Sequence, residues 1–451
     1  MDITNLMVAI DLGSSNIVGM AGVREGNKIK IVAIDKEPSE GAVRRGCVIN
    51  IEESASKVKK LITKLENKLS THISNVFVGI GGQSVRTIKN NVSRHLPDGT
   101  KISSLLLEEL QKEGRNIPIA STEIIDVLPN EIFINDNVVK NPEGVEAKKI
   151  QIDMQLAVAR QTLTKNIVTI FDKLKLNIEG FILSSKADAE AVLKMEDKES
   201  GCVLVNFGGG TTEVSIYHQG FLRQLTTIPL GGKNITQDIM SLGLVSDEAE
   251  RFKISLGSAL LSTGEQLKGY TLDAQGKGPI KPKDLNRITV ARIEEIVANV
   301  VNQIKESGYK SELKGGIIIT GEASQLKDLP ELLRKEAGME VRCGTMSDKI
   351  IAEQDLNIQL TTYSQTIGML LIANESLASP TKEANKEGWW PWKKAKKEEK
   401  KKEEVKPVEA PKPKPEKVKK EQPQEKREGL FDTIQKQVIK YMTEDNNEKI
   451  S

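Results

Sequence analysis

The sequence has few of the residues that build disulfide and metal sites. Its 451 residues include three cysteines and three histidines, all far apart in the chain: Cys47, Cys202, Cys343, His72, His95 and His218. An odd number of widely spaced cysteines argues against a disulfide framework and favours a reducing compartment. Because no histidine has a partner at i+3 or i+4 and no cysteine pair has zinc spacing, the sequence also argues against a protein-held metal site.

Long apolar runs are missing as well. No stretch of about 18 apolar residues occurs, and the first residues do not form a basic region followed by an apolar run and a cleavage site. We therefore expect neither a membrane-spanning helix nor a secretory leader. The 65 Lys and Arg nearly balance the 63 Asp and Glu, for a net charge of +2, and we expect no nucleic-acid partner. Together these features predict a cytoplasmic protein that can contact a membrane from inside.

Tryptophan is confined to one place. Trp389, Trp390 and Trp392 are the only three, and they stand at the start of a tail rich in Lys, Glu and Pro. Residues 393–428 hold fifteen Lys and Arg against nine Glu, so this stretch carries +6 and the rest of the chain about −4. Such a segment buries too little apolar surface to offset its chain entropy, which predicts a disordered charged linker over residues 376–428. The tryptophans fit a second interfacial anchor, a docking motif for a partner, or an exposed stretch of linker.

The tail ends in an amphipathic segment over residues 429–443. On a helical projection, six apolar side chains fall within one third of the circumference, and Ile439 is the one apolar residue off that face. The six are Leu430, Phe431, Ile434, Val438, Tyr441 and Met442. Asp432, Lys436 and Lys440 lie opposite. A basic stretch beside such a helix is typical of a segment that lies in the interface of an anionic membrane. The alternative is a helix docked on the protein's own core or on a partner protein, although a flexible linker of about 55 residues spans roughly 40 Å, more reach than an internal dock needs.

The first 375 or so residues alternate strand and helix patterns. Short apolar runs that end in polar or glycine turns predict buried strands at residues 7–10, 202–207 and 315–320. Helical periodicity covers residues 55–69, 164–176, 246–255 and 292–307. This alternation predicts an α/β class with parallel or mixed sheets. Residues 85–161 fit the alternation poorly, which indicates an inserted module.

Two strand-turn units about 195 residues apart share one design, a buried strand followed by small residues. The first turn contains Asp11, Gly13, Ser14, Ser15 and Asn16, and the second contains Gly208, Gly209, Gly210, Thr211 and Thr212. Small residues let backbone N–H groups and hydroxyls approach phosphate oxygens. Asp11 suits the hydration shell of Mg²⁺, because that ion prefers carboxylate oxygens and keeps several waters. A pair of tight turns in a sheet protein is the alternative interpretation.

Four motifs carry a resemblance to a known family: residues 11–15, 206–213, 249–253 and 316–322. In this order they resemble the two phosphate motifs, the ribose-contacting helix and the adenosine motif of the actin-like ATPases. Within that superfamily the chain most resembles the FtsA family of bacterial cell-division proteins. Further stretches support this match, at residues 76–84, 183–192 and 364–369 and in the terminal amphipathic segment.

The resemblance implies an actin-like fold of two lobes that close over ATP, followed by the linker and the membrane-targeting helix. The implied subdomains are 1A over residues 5–84, 162–198 and 350–375, an inserted 1C over residues 85–161, 2A over residues 199–232 and 308–349, and 2B over residues 233–307. By position, Glu250 and Lys253 match the family's ribose-contacting residues, and Gly321 matches the adenosine-motif glycine. With Glu322 beside it, these residues and the two turns form the implied site for ATP and Mg²⁺.

Two departures from the family pattern bear on hydrolysis. Asn206 replaces the aspartate that normally opens the second phosphate motif, so the charge that holds metal-bound water is lost and no catalytic residue is assigned. Glu322 replaces the second glycine of the adenosine motif, where a side chain crowds the base or turns its carboxylate aside into solvent. We expect ATP to bind and to turn over weakly or not at all, and Asn206→Asp to raise turnover.

The family implies a division adaptor on the cytoplasmic side of the inner membrane at the division site. Its expected partners are FtsZ, further copies of itself in a filament, the anionic membrane surface and other division proteins through 1C. Arg287 and Arg292, on the expected 2B surface, are candidates for gripping an acidic FtsZ tail. The alternative is an active ATPase or sugar kinase of the same superfamily; no motif for a sugar-binding base is found, and the tail would lack a role. A heat-shock-type chaperone would need a β-rich domain after the ATPase.

Overall fold

The chain is described from a computed structural model, which covers residues 5–261, 272–274, 278–352 and 360–378. The strands are β1 Leu6–Leu12, β2 Asn16–Glu25, β3 Lys28–Pro38, β4 Val43–Arg44, β5 Cys47–Val48, β6 Asn75–Ile80, β7 Arg86–His95, β8 Thr122–Ile134, β9 Asn137–Val138, β10 Lys149–Arg160, β11 Asn177–Leu183, β12 Cys202–Phe207, β13 Thr212–His218, β14 Phe221–Ile228, β15 Leu272–Ala274, β16 Gly278–Ile280, β17 Ile317–Thr320, β18 Val341–Cys343 and β19 Ile350–Ala352. The helices are α1 Ile51–Leu69, α2 Ser104–Arg115, α3 Gln161–Leu174, α4 Ser184–Val192, α5 Met195–Ser200, α6 Gly232–Ile239, α7 Ser246–Leu256, α8 Pro282–Glu306, α9 Leu329–Ala337 and α10 Ser364–Ala378.

The first lobe is built on a six-stranded sheet in the order β11-β6-β1-β2-β3-β19. β1 pairs antiparallel with β2 and parallel with β6, so the sheet is mixed, as predicted. The apolar stripe of α1 packs on this sheet, and Leu61 and Leu65 lie directly over Gly19 of β2. Asn50 caps the helix by accepting from the Glu53 N–H.

The second lobe continues the same architecture in a nine-stranded sheet, in the order β18-β17-β12-β13-β14-β7-β10-β8-β9. β12 pairs antiparallel with β13 and parallel with β17, which repeats the hairpin-plus-parallel arrangement of the first lobe. A separate apolar core lies between this sheet and the helices α6, α8 and α9. The duplicated strand-turn units that the sequence predicts are therefore the β1–β2 and β12–β13 hairpins.

Residues 85–161 form α2 and the strands β7 to β10, with an apolar core of their own. Long antiparallel ladders join β10 to β7 and to β8, and β7 meets the second sheet through a single pair, Thr226 with Arg86. The run of strands with one helix is why the stretch departs from the alternation seen on either side.

The four predicted helices are present, and α8 shows the largest change of length. The pattern at residues 292–307 is only the second half of α8, which begins at Pro282. Proline suits the first turn of a helix, where its missing N–H costs no hydrogen bond, and Leu285, Thr289 and Val290 extend the buried stripe backwards. Within the described residues, no helix is both long and apolar enough to cross a bilayer. Residues 376–378, predicted as the start of the linker, are instead the last residues of α10, because the helix continues to Ala378. The rest of the predicted linker, the amphipathic helix and Trp389, Trp390 and Trp392 lie outside the described residues.

Candidate functional site

The two glycine-containing turns meet face to face. The first turn, residues 11–16, joins β1 to β2, and the second, residues 206–212, joins β12 to β13. A Cβ atom built on Gly209 would lie 2.1 Å from the Ser15 Oγ, and one on Gly210 would lie 2.5 Å from the Ser14 Oγ. Any side chain at these two positions would fill the gap between the turns. The glycines therefore keep the space between the two turns open. Ser14 and Ser15 both line the same narrow cleft, and the buried Ser14 Oγ accepts from the Gly46 N–H at 2.8 Å.

Most of the predicted residues line this cleft, which encloses about 100 Å³. The lining includes Asp11, Gly13, Ser14, Ser15, Asn16, Asn206, Gly208, Gly209, Gly210, Thr211, Gly321 and Glu322. Thr212 is fully buried instead, and its Oγ1 donates to the Leu230 carbonyl at 2.9 Å. Its role is thus to hold the end of the second turn in place.

Glu250 and Lys253 lie one layer behind the second turn. The Lys253 Nζ donates to the Glu250 carboxylate at 2.8 Å and to the Gly232 carbonyl at 3.2 Å. The backbone N–H of Gly232, at the start of α6, in turn donates to the Gly208 carbonyl at 2.9 Å. In this arrangement the pair supports the helix start that holds the second turn, with each side chain bound to the other.

Gly321 and Glu322 of the adenosine motif both line the cleft, at the end of β17. Gly321 has a φ of 92°, and a Cβ atom there would lie 2.4 Å from the Asn206 Oδ1, so only glycine fits on both counts. Glu322 is exposed, so its carboxylate lies towards solvent, and its Oε1 accepts from the Asn16 Nδ2 at 3.5 Å. This contact joins the two lobes across the cleft.

Three carboxylic acids gather around the floor of the cleft, and burial raises the pKa of each. The pKa of Asp11 rises to about 7, by burial and by the charges of Asp188 and Glu322. The pKa of Glu213 rises to about 8, by burial and by the charges of Asp188 and Asp11, against a hydrogen bond from the Gly82 backbone. Burial raises the pKa of Asp188 to about 6, although three hydrogen bonds favour its ionised form. An ionised carboxylate in this cleft is therefore unfavourable unless a bound cation or a proton neutralises it.

The buried acids make the free protein less stable as pH rises. A carboxyl whose folded pKa is raised binds more protons in the folded than in the unfolded state, so its stability contribution is lost between its ordinary pKa and its folded pKa. Between pH 5 and pH 8 the free energy of unfolding of wild type should fall by about 3 kcal/mol more than that of Glu213→Gln, because the variant has no carboxyl at this position to ionise. Urea unfolding at the two pH values measures this difference.

Asp35→Asn provides the control for that measurement. Burial would raise the pKa of Asp35, but hydrogen bonds from the Lys68 side chain and the Lys36 backbone, with the charges of Lys68 and Lys64, outweigh burial and lower the pKa. A carboxyl whose pKa is lowered in the folded state contributes stability that is fully present at any pH well above its ordinary pKa. Asp35→Asn should therefore shift stability equally at pH 5 and pH 8. An equal shift for Glu213→Gln as well would contradict a raised pKa for Glu213.

Two of these carboxylic acids, Glu213 and Asp188, were not predicted as site residues from the sequence. Glu213 stands in the otherwise buried strand β13, and Asp188 lies among small apolar residues of α4. A charged residue inside a buried strand or helix is the signal that could have indicated them. The remaining lining comes from several distant segments, with no local motif for this role: Gly46, Gly79, Gly81, Gly82, Ser184, Gln365 and Thr366.

Comparisons with known proteins agree on one family. A family model described as Cell division protein FtsA matches residues 203–368. The chain is 29% identical over 378 residues to the cell division protein FtsA of Porphyromonas gingivalis, which covers 82% of this chain and 78% of the relative. For the FtsA of Escherichia coli K12 the identity is 25% over 397 residues, covering 84% and 93%.

The fold also resembles solved structures. A chain of a PilM-PilN type IV pilus biogenesis complex superposes with a TM-score of 0.57 at 15% identity, covering 82% of this chain and 98% of that one. At this identity the likeness concerns the fold alone. It agrees with the predicted α/β, actin-like architecture of two similar lobes.

Proposed function

We propose that the chain is a member of the FtsA family of bacterial cell-division proteins, which the family model and the relatives support, and that it is an ATP-binding adaptor that ties FtsZ to the membrane. In this proposal it binds ATP with Mg²⁺ and assembles into actin-like filaments. It holds FtsZ at the cytoplasmic face of the inner membrane, at the division site. The observation that carries the nucleotide part is the meeting of the two bare glycine turns in one cleft.

The cleft residues fit Mg·ATP. Backbone N–H groups of both turns and the Ser14 and Ser15 hydroxyls would hold the phosphates, and the cation would neutralise the acids whose pKa is raised. Asp11 would face Mg²⁺ through water. Within the described residues no group of three or more His, Cys, Asp or Glu is arranged to hold a metal. Mg²⁺ bound through one carboxylate and substrate phosphates does not need such a group.

We propose weak turnover, because the second turn presents an amide where a carboxylate would hold water. A second candidate, an active ATPase, is favoured by Glu213: it lines the cleft, its Oε2 has no hydrogen-bond partner among the described residues, and its pKa of about 8 suits a general base. Equilibrium binding of ATP combined with phosphate release separates the two. Slow release with clear binding supports the adaptor, whereas brisk release that Glu213→Gln abolishes supports the ATPase.

Filament formation is the next part of the proposal. We assign the insertion at residues 85–161 as 1C and residues 233–307 as 2B, and propose that both form contacts between successive copies. Large apolar side chains exposed on the two regions support this: Leu105 is 63% and Val138 57% exposed in the first, and Val245 is 61% and Ile254 74% exposed in the second. A contact between unlike surfaces that does not close into a ring generates a filament.

Electron microscopy of the purified protein on an anionic lipid monolayer with ATP should show filaments. Leu105→Asp should shorten or abolish them, because it puts a charge on the proposed contact, and Leu105→Ala should weaken them less. Isolated particles at every protein and ATP concentration would contradict the assembly proposal.

We propose that the segment at residues 429–443 anchors the protein to the membrane and that 2B contacts FtsZ. Of the two candidate arginines on α8, Arg292 is half-buried and donates to Asp238 at 2.5 Å and 3.2 Å. Arg287 is exposed. The exposed residue is therefore the better candidate for an acidic tail. The anchor rests on the sequence pattern, since those residues lie outside the described part of the chain.

A further inference from the structure

Asn206, which replaces the usual aspartate of the second phosphate motif, is hydrogen-bonded to a buried carboxylate. Its Nδ2 donates to the Asp188 Oδ2 at 2.7 Å, and both side chains are buried, with Asp188 only 1% exposed. The two residues are 18 positions apart and come from different elements, β12 and α4. The cleft has therefore lost a carboxylate at its surface and has another one directly behind the replacement.

Helix packing fixes the position of Asp188. α4 and α10 cross at Gly368, where a Cβ atom would lie 1.7 Å from the Ala187 carbonyl oxygen, so the two backbones touch. This close approach brings the start of α10 to the neighbouring Asp188. The Ser364 Oγ donates to its Oδ1 at 2.5 Å and the Gln365 Nε2 donates to its Oδ2 at 3.3 Å. With Asn206, three donors surround one carboxylate.

This contact decides which way the Asn206 amide points. An ionised carboxylate only accepts hydrogen bonds, so the NH₂ group of Asn206 must face Asp188. Its carbonyl oxygen then lies on the other side, 2.4 Å from a Cβ atom built on Gly321 and 3.8 Å from one built on Gly208. Both glycines line the cleft. An oxygen acceptor thus remains where one carboxylate oxygen would stand.

We propose that Asp188 is a positioning residue for nucleotide binding. It holds the Asn206 side chain with the amide oxygen towards the cleft, and from its place behind Asn206 it supplies the negative charge that the second phosphate motif lacks. The proposal deepens the nucleotide part of the proposed function and rests on it. It also changes what Asn206→Asp alone should do. That substitution places two carboxylates at hydrogen-bonding distance in a buried site, where they cannot both ionise readily.

The test is a swap of the two functional groups. Asp188→Asn should weaken Mg·ATP binding about tenfold, because Asn206 loses a charged partner and its amide loses a fixed orientation. Asn206→Asp should weaken binding by a similar factor at pH 8. The double variant Asn206→Asp/Asp188→Asn restores a single carboxylate and a single amide in the reverse order. It should bind within about threefold of wild type and release phosphate faster than wild type does.

Glu190→Gln is the matched control, because Glu190 lies on the same helix but pairs with Lys198 at 2.7 Å, away from Asn206. It should bind nucleotide as wild type does, and thermal unfolding should confirm that all variants fold. If wild type binds nucleotide and Asp188→Asn binds it equally well, only the proposed role of Asp188 is overturned. The same conclusion follows if the double variant binds no better than the weaker of the two single variants. No binding by wild type at millimolar Mg·ATP would overturn the inference and the proposed nucleotide function together.

Discussion

Gly210→Val should abolish nucleotide binding, with a loss of roughly hundredfold or more in affinity for Mg·ATP. The first atom of the new side chain would lie 2.5 Å from the Ser14 Oγ and 3.1 Å from the Arg45 backbone nitrogen. Both turns would have to separate to admit it, and the branched side chain would then occupy the space proposed for phosphate. Equilibrium binding of a fluorescent ATP analogue measures the loss.

Gly26→Ala is the control for that substitution. Gly26 also lies in a tight turn, between β2 and β3, but a Cβ atom there has no neighbour within 4 Å. Its φ of 60° makes alanine strained, which should cost about 1 kcal/mol of stability. Nucleotide affinity should stay unchanged. If Gly210→Val binds ATP as tightly as wild type, phosphate does not lie between the two turns.

The second large effect concerns the membrane. Phe431→Asp should move the protein from the liposome pellet to the supernatant, because a charge on the apolar face of the terminal segment opposes its burial in the interface. Six apolar side chains contribute at most roughly 9 to 18 kcal/mol when fully buried, and an interfacial helix buries them partly and must also become ordered. A single anchor is therefore marginal, and losing one large apolar contact should cost about a hundredfold or more in partitioning.

Asp432→Asn is the control, since Asp432 is predicted to lie on the polar, solvent-facing side of the same helix. It should pellet with anionic liposomes as wild type does. A filament displays many anchors on one face, and each bound helix raises the effective concentration of its neighbours. ATP and high protein concentration should therefore increase the pelleted fraction of wild type. Should Phe431→Asp pellet unchanged, the run from Trp389 to Trp392 becomes the leading anchor.

Much of the fold follows from local pattern. The buried strands before Asp11 and Asn206 were predicted because an apolar run ending in small polar residues leaves few alternatives. The helix at residues 55–69 follows from its periodicity, and α1 extends it by one turn to the Asn50 cap. The first half of α8 escaped prediction, since Asn286 and Thr289 stand on its buried face and interrupt the apolar stripe.

The candidate site shows where local reasoning stops. The glycines of both turns and the serines of the first turn were expected at the cleft, because the local motifs resemble phosphate-binding turns. Asp188 was not, because its role depends on the crossing of α4 with α10, where Ala187 and Gly368, 181 positions apart in the chain, touch. The contact of Glu322 with Asn16 could not be predicted either, since Asn16 belongs to the other lobe.

The central claim is that this chain connects FtsZ to a membrane, and the most direct test is FtsZ recruitment to a supported anionic bilayer. Fluorescent FtsZ from the same organism is added with the full chain, or with a chain that ends at residue 428, in the presence of Mg·ATP. The account predicts that FtsZ accumulates on the bilayer with the full chain and stays in solution with the shortened one. Equal recruitment by both chains, or none by a full chain that itself covers the bilayer, would contradict it.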